Sequence, residues 1–407
     1  MTTAVPAGAP SQTLETTGQH GFRAHSDGAG AFVPVQTRSE RFTSTNVDDF
    51  DAVTGREQSW KLTPVARVAD LIDGDLDGSA YRVDADQVDG VSVTWGAVDA
   101  VERGRAGIPE ERAAANAWTQ TREVLRVEVS GEEMKRANIR RTALGTTARA
   151  AHTVINAAPF SRGLVILDSA GQAKLTENVE IVVGDGADLT VVSVQGWDDD
   201  ALHLAAHFAT VGRDAKLKHV VVSLGGSVVR VNPSTHLGAE GGDVEALGLY
   251  FSDAGQHLEQ QVYVNHDAPH TRSRVTYKGA LQGEGARSVW IGDVLIGQKA
   301  TGTDSYEQNR NLVLTDGTRA DSIPNLEIET GDIAGAGHAS ATGRFDDEQL
   351  FYLQARGIGE EEARRLVVRG FLTEVVQQIG DPELQERLDR AIEAELAGTD
   401  LLSASER

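Results

Sequence analysis

The sequence contains no cysteine in its 407 residues. This absence excludes disulfide bonds, thiolate metal ligands and cysteine nucleophiles. Aromatic residues are also scarce, at 5%, whereas there are 43 glycines. Such a composition favours many tight turns and small or branched interior side chains. Repetitive β structure therefore fits better than a helical bundle.

Basic residues are in deficit, with 38 Lys and Arg against 61 Asp and Glu and a formal charge of −23. Phosphate backbones and anionic lipid surfaces require clustered cations, so we expect neither nucleic acid nor membrane as a partner. No apolar run is long enough to span a membrane, and MTTAVPAGAPSQTLETTGQHG lacks the charged and apolar regions of a secretion signal. A cytoplasmic location is the default expectation.

The chain changes character several times along its length. Residues 1–20 predict a disordered lead, and residues 21–118 a small α/β region with a helix at PEERAAANAWTQ. Residues 119–345 consist of short branched runs such as RGLVILDSAG, NVEIVVGDGADLTVVSVQG and AKLKHVVVSLGG. No long amphipathic helix interrupts these runs, which indicates a β-sandwich or a β-solenoid rather than an open parallel sheet.

A degenerate repeat favours the solenoid. The runs ADLTVV, AKLKHV and GDVEALG begin at similar offsets along the chain, each after similar turn residues. Units of this length cannot bury their own apolar faces and stack into coils around a common interior. The predicted fold is therefore mainly β, with a parallel β-helix as its core.

Helical periodicity begins after the strands. Residues 346–398 contain DDEQLFYLQARG, then EEEARRLVVRGFLTEVVQQIGDP, then PELQERLDRAIEAELAG. In the second segment an apolar stripe runs from Leu366 through Phe371 and Leu372 to Ile379, ended by Gly380 and Pro382. We predict a C-terminal helical domain, followed by a flexible tail at 399–407.

The densest histidine group is HLEQQVYVNHDAPH, with His257, His266 and His270 near Glu259 and Asp267. Imidazole and carboxylate groups are ligands for zinc and iron, so this group is a candidate metal site. His257 and His266 are nevertheless spaced so that, on one strand, they would point to opposite faces. Ordinary surface or ladder histidines are the favoured interpretation.

The run Asp198, Asp199, Asp200 resembles the paired carboxylates of a glycoside hydrolase. Three acids in a polar turn are much more often solvated, and we favour that interpretation. No G-x-x-x-x-G-K-[ST] string occurs, so the chain has no P-loop of its own.

The segment AGAGHASATG, residues 334–343, places His338 among small residues. Its composition predicts a loop between the strands and the helices. A single histidine in such a loop is more often structural or solvated than functional.

Four segments of the C-terminal half change this assessment: YKGALQGEGARSVWIG, RNLVLTDGTRADSIPNLEI, GHASATG and FYLQARGI. In this order they resemble the diagnostic block of the SufB/SufD family of iron–sulfur cluster assembly proteins. The resemblance is strong over about residues 257–375. The chain is more similar to SufD, because SufB is expected to carry sulfur-accepting cysteines.

The resemblance implies a right-handed parallel β-helix flanked by helices, in agreement with the repeat. It implies a non-catalytic scaffold subunit that pairs with a SufB-like paralogue through the β-helix. It also implies docking of a SufC-like ABC ATPase, which hydrolyses the ATP, on the C-terminal helices. The partner-binding residues expected there are Phe351, Leu353, Phe371 and Leu372.

No tightly bound cofactor is expected, only transient iron or a nascent cluster at the partner interface. His338 matches the family histidine at that interface and is the candidate metal ligand, whereas Ala336 stands where a cysteine is often found. Thiolate chemistry would then belong to the partner. The nearest carboxylates in the sequence are Glu327, Glu329 and Asp332.

Two other functions remain open at this point. One is a carbohydrate-active enzyme of the pectin-lyase type, since such enzymes also use β-helices. The other is a homodimeric metal-binding scaffold. The sequence leaves open whether the subunit delivers iron, binds reduced flavin or only shapes the interface, and which cluster is made.

Overall fold

A computed structural model describes residues 22–26, 32–36, 41–142, 144–344 and 347–397. The lead predicted at 1–20 and the tail predicted at 399–407 lie outside these residues. The chain divides into two units, Met1–Phe42 and Thr43–Arg407. In the first, β1 (Phe22–Ser26) pairs antiparallel with β2 (Phe32–Gln36). No helix of the described residues is long and apolar enough to cross a membrane.

The second unit begins with short elements that cover one face of the strands that follow. They are a 3₁₀ helix (Val47–Asp49), α1 (Val65–Asp73), β3 (Asp84–Ala85), β4 (Val91–Ala97) and α2 (Arg112–Gln120). The apolar faces of α1 and α2 pack together against the outer surface of the strands, where Val68 and Ala113 share a buried cluster with Leu204. This packing is typical of amphipathic helices whose polar side faces solvent.

Sixteen strands follow and form the body of the molecule. They are β5 (Glu123–Val129), β6 (Met134–Arg141), β7 (Arg149–Ala157), β8 (Arg162–Gly171), β9 (Lys174–Val183), β10 (Asp188–Trp197), β11 (Leu202–Val211), β12 (Lys216–Ser223), β13 (Val228–Leu237), β14 (Asp243–Ser252), β15 (His257–His266), β16 (Arg272–Leu281), β17 (Arg287–Ile296), β18 (Thr303–Val313), β19 (Arg319–Ile328) and β20 (Ile333–Arg344).

The even-numbered strands from β6 to β20 form one nine-stranded sheet, with β3 added at its end. The odd-numbered strands from β5 to β19 form the other nine-stranded sheet, with β4 added at its end. All neighbours from β5 to β20 run parallel, whereas β3 pairs antiparallel with β6 and β4 pairs antiparallel with β5. The result is a β-solenoid of about eight turns. The prediction of a mainly β, coiled architecture is confirmed.

The register confirms the sequence repeat. Leu189 lies beside Leu217, and Leu217 lies beside Val244, so ADLTVV, AKLKHV and GDVEALG occupy equivalent places in successive coils. All three side chains belong to one buried cluster that fills the interior between the two sheets. Alternation along each strand sends one set of side chains into this interior and the other set outward.

Three helices follow the last strand: α3 (Asp347–Gln354), α4 (Glu360–Gln377) and α5 (Pro382–Ala397). Helices α4 and α5 pack on the outer face of the even-numbered sheet, where Leu372 contacts a cluster that includes Val220 and Leu249. Ion pairs fix this packing at its margins, among them Arg136 with Asp381 at 2.8 Å.

The apolar stripe predicted for α4 is correct at Leu372 and Ile379 and wrong at Leu366. Leu366 is exposed and Val368 is buried in its place. Val368 precedes Leu372 by four residues and Val376 by eight, so the helical repeat counted back from the buried positions selects Val368 and not Leu366.

Candidate functional site

AGAGHASATG is a strand and not a loop. It forms most of β20, which pairs in parallel with β18 over its whole length. The prediction of a loop is therefore wrong. Small residues have low β propensity, but here the preceding coil supplies a complete hydrogen-bonding edge, and such context overrides propensity.

Strands β19 and β20 are the last strands of the two sheets, so each has one edge without a neighbouring strand in the described part of the chain. We call this the open end of the solenoid. Glu307, Asn309 and their alternate neighbours on β18 are buried, and their register partners on β20 are His338 and Ser340. Because no further coil covers them within the described residues, these inward-facing side chains of β20 are accessible.

A chain of hydrogen bonds fixes the polar side chains at the open end. Ser340 Oγ donates to Ser322 Oγ at 2.8 Å, and Ser322 Oγ donates to Asn309 Oδ1 at 2.7 Å. The amide of Asn309 in turn donates to Tyr250 Oη at 2.9 Å, deeper in the interior. The two sheets are thereby joined across the end of the solenoid by polar contacts.

His338 lies above a buried carboxylate. Its Nδ1 atom is 3.8 Å from Oε1 of Glu307, with side-chain exposures of 45% and 1% respectively. This distance is too long for a hydrogen bond. The carboxylates nearest to His338 in the sequence, Glu327, Glu329 and Asp332, are not the neighbour that the fold places beside it.

The carboxylate of Glu307 has an unusual environment. Within the described residues, neither oxygen receives a hydrogen bond of normal geometry. Burial, together with the negative charge of Asp293, raises the pKa of Glu307 to about 8, and the nearby backbone N–H of Asn325 offsets this only in part. A buried polar group without a partner is costly and therefore rare in a native interior.

The sequence did contain a signal for Glu307. The inward positions of TDSYEQNRN are Thr303, Ser305, Glu307 and Asn309, so all four are polar, whereas the earlier strands mix polar and aliphatic side chains at these positions. Glu307 also precedes His338 by one coil. Combining the repeat with the polar inward face would have paired the two residues.

Ala336 is partly buried against the interior cluster, in register with Ser305. No cysteine thiolate is available in this chain, so the open end offers oxygen and nitrogen donors. Glu327 follows the inward-facing Leu326 on β19 and by alternation points outward. It is therefore on the opposite face from His338.

The three histidines of the HLEQQVYVNHDAPH segment are not brought together. His257 Nε2 lies 2.8 Å from Glu259, in a buried polar group beneath the N-terminal elements. His266 is at the other end of β15 and contacts the hydroxyl of Ser273 in the interior. His270 occupies a turn with φ of +55°.

The acidic run Asp198 to Asp200 is an exposed turn between β10 and β11, as predicted. Asp199 accepts a hydrogen bond from Gln256, and Asp200 accepts one from Gln172. Throughout the described residues there is no group of three or more His, Cys, Asp or Glu side chains arranged to hold a metal ion.

The residues expected to bind a partner differ in accessibility. Phe351 on α3 is 72% exposed, and its neighbour Tyr352, which the sequence analysis did not name, is also exposed. Leu353 is half-buried. Phe371 is half-buried against the sheet beneath the cations of Lys278 and Arg310, and Leu372 is fully buried there. In this packing Leu372 supports α4 and is not part of an accessible surface.

Comparisons of the sequence with known proteins identify a family model and several relatives. The family model described as "SUF system FeS cluster assembly, SufBD core domain" matches residues 139–371. An iron–sulfur cluster assembly SufBD family protein of Mycobacterium leprae is 46% identical over 92% of this chain and 98% of its own length. An iron–sulfur cluster assembly SufBD family protein of Mycobacterium tuberculosis is 47% identical over 90% of this chain and 95% of its own length. A second such protein of M. leprae is 27% identical over 60% of this chain and 29% of its own length.

Proposed function

The chain belongs to the SufBD family of iron–sulfur cluster assembly proteins, and on this basis we propose that it is the SufD-like scaffold subunit of an assembly complex. In this role it is non-catalytic. It pairs with a cysteine-bearing SufB-like paralogue and docks a SufC-like ATPase, and iron or a nascent cluster passes through the interface as substrate.

The observation that carries this proposal is the open end, where a chain without cysteine presents an accessible imidazole, His338. Sulfur transfer needs a nucleophilic thiolate, which the partner supplies. Iron accepts imidazole and carboxylate, which this chain supplies. The two matching SufBD proteins of M. leprae support a pair of unequal paralogues in one organism.

The open end suits pairing because β19 and β20 each leave backbone N–H and C=O groups without a strand neighbour among the described residues. An unpaired strand edge is a template for another strand. Pairing there would bring the partner's thiolates to the face that carries His338.

The ATPase is proposed to dock on α3 and the exposed side of α4. Phe351 and Tyr352 on α3 and Leu366 on α4 are exposed large apolar side chains that are available for contact with a partner. Helix α4 also contacts β16 through Lys278, which pairs with Glu374 and lies over Phe371. A movement of α4 on nucleotide turnover would therefore act on the sheet that ends at β20.

A homodimeric scaffold is the second candidate, since the same unpaired edges fit a second copy of the chain. Family membership leaves the carbohydrate-active alternative without support.

Co-purification tests the proposal. The tagged protein, expressed with its native partners, is expected to retrieve a cysteine-bearing family member and an ABC ATPase. Retrieval of a second copy of itself alone would favour the homodimer, and the absence of the ATPase would contradict the docking role.

The variant His338→Ala tests the open end. We expect the purified complex to retain its subunits but to form cluster more slowly from ferrous iron and sulfide, monitored by visible absorption. His236→Ala is the control, because His236 is also half-exposed but lies on β13, away from the open end. An unchanged rate in His338→Ala would remove His338 from the mechanism.

A further inference from the structure

We propose that Glu307 is a second metal ligand of the open end, so that its carboxylate and the imidazole of His338 bind one divalent transition-metal ion between them. In the assembly reaction this ion would be ferrous iron. The proposal rests on the proposed function for the identity of the metal, but the two-residue site itself is argued from the geometry alone.

The carboxylate of Glu307 is buried without a hydrogen-bond partner of normal geometry among the described residues. Glu307 is 1% exposed, and both of its oxygens lack a hydrogen bond of normal geometry among the described residues. Burying a carboxylate without a partner is strongly unfavourable. Asp293 adds a second negative charge nearby, which makes a cation at this position more favourable still.

The position of the Glu307 side chain also favours a shared site with His338. Glu307 extends across the interior, so that a side chain at Gly292 on the opposite sheet would collide with its Oε2 atom. The absence of a side chain at Gly292 therefore makes room for the carboxylate. His338 is its register partner one coil further on, and it is accessible from the open end.

The distance between the two side chains suits a bridging metal ion. Nδ1 of His338 and Oε1 of Glu307 are 3.8 Å apart. Two ligand atoms that each lie about 2.1 Å from a metal ion are separated by about 3.4 Å at a tetrahedral angle. A side-chain movement of a few tenths of an ångström therefore creates the site, whereas the same pair is too far apart for a direct hydrogen bond.

Two protein ligands leave coordination positions for water, substrate sulfide or a partner's thiolate. Structural metal sites are usually closed by four protein ligands, whereas sites that exchange ligands keep positions open. An incomplete site on one subunit thus suits a metal that is transferred and not retained.

Metal binding by the isolated full chain tests the site without the assembly reaction. Cobalt(II) is titrated anaerobically into the wild type and into Glu307→Gln, His338→Ala and Glu327→Gln, with binding followed by calorimetry and by the ligand-field spectrum. Glu307→Gln keeps the side-chain shape and removes the charge. Glu327→Gln is the matched control, since it removes an outward-facing carboxylate from the neighbouring end strand.

We expect the wild type to bind one ion and both Glu307→Gln and His338→Ala to weaken this binding by about tenfold or more. Glu327→Gln should change it by less than about twofold. Thermal melts of all four proteins establish that each is folded. Equal affinity of Glu307→Gln and wild type, or no stoichiometric binding to the wild type, would overturn the proposal.

Cluster formation by the complex separates this proposal from the proposed function. If His338→Ala impairs cluster formation while Glu307→Gln affects neither metal binding nor cluster formation, the scaffold role stands and the two-ligand site is wrong. If the isolated chain binds cobalt through both residues and neither variant alters cluster formation, the metal site stands and its role in assembly is wrong.

Discussion

Two buried glutamates in the interior of the same solenoid have opposite environments. Glu177, in an early coil, is held by Arg141 at 2.6 Å and by His203 at 2.9 Å, with all three side chains at 0% exposure. Burial alone would raise its pKa, but Arg141 and the hydrogen bond from His203 hold the pKa well below its usual range. Glu307, in a late coil, has no such partner among the described residues, and its pKa is raised to about 8.

The difference indicates what each part of the interior is for. Around Glu177 every charge is compensated within the chain, so the polar group can serve stability and the uniqueness of the fold. Around Glu307 the described residues supply no Arg or Lys partner that would favour the ionised form, and its neighbour is the accessible imidazole of His338. The buried carboxylate in the early coil has partners within the chain, whereas the one near the open end lacks them in the described part of the chain. This difference indicates that the open end binds a ligand.

Removing the partner of Glu177 is expected to have the largest effect. Arg141→Met leaves a fully buried carboxylate without its cation and should lower the free energy of unfolding by about 3–5 kcal/mol. Urea denaturation followed by circular dichroism measures the loss.

The control for this variant is Arg162→Met. Arg162 pairs with Asp188 at 3.5 Å with both side chains about half exposed, and its replacement should cost less than about 1 kcal/mol. A cost for Arg141→Met as small as that of the control would mean that the early interior is no more dependent on charge compensation than the surface.

Acid should destabilise the early and middle coils through their buried imidazoles. Burial lowers the pKa of His219 from 6.5 to about 4, so the folded state keeps this side chain neutral while the unfolded state protonates it. The stabilising contribution is full above pH 6.5 and is lost as pH falls from 6.5 towards 4, by about 3 kcal/mol in total.

Denaturation curves from pH 7.5 to pH 4 measure this loss. In His219→Gln the amide can donate to or accept from His207, whose Nδ1 lies 3.0 Å from His219 Nε2, and the variant should flatten the decline even if it lowers stability at pH 7. Equal slopes in the wild type and in His219→Gln would contradict the assignment to this buried side chain.

The smallest expected losses of stability concern single hydrogen bonds, one in the buried interior and one at the open end. Tyr250→Phe removes a fully buried hydroxyl that accepts from Asn309 and donates to Asn311, and should cost about 1–3 kcal/mol. Ser340→Ala removes an exposed donor, which water replaces, and should cost less than about 1 kcal/mol. Thermal melts of the two variants at one pH give the comparison, and equal costs would contradict the view that the open end is solvent-facing.

Much of the fold was predictable because the coils share one register. Leu189, Leu217 and Val244 recur at nearly constant spacing, and this spacing is what stacks them. The helices were predictable from their apolar periodicity and their terminal residues. Leu366 was assigned to the buried stripe, although Val368, four residues before Leu372, fits the helical repeat and is the buried residue.

The candidate site was predictable in part. His338 was identified through a family resemblance, whereas Glu307 was missed because it is distant in the sequence and adjacent only through the register of β18 and β20. The segment around His338 was interpreted as a loop from its small residues. Its strand conformation derives from the neighbouring strand β18 and not from its own composition, so no local pattern could predict it.

The antiparallel pairing of β3 with β6 and of β4 with β5 limits the size of any assembly. At that end of the solenoid the strand direction reverses and β3 has only two residues, so another parallel coil cannot be added there in register. Among the strands that the structure describes, only the opposite end can therefore continue the parallel stack. Two chains that pair through β19 and β20 bury the strand edges that could continue the stack. Such an assembly is a closed dimer and does not extend into a filament.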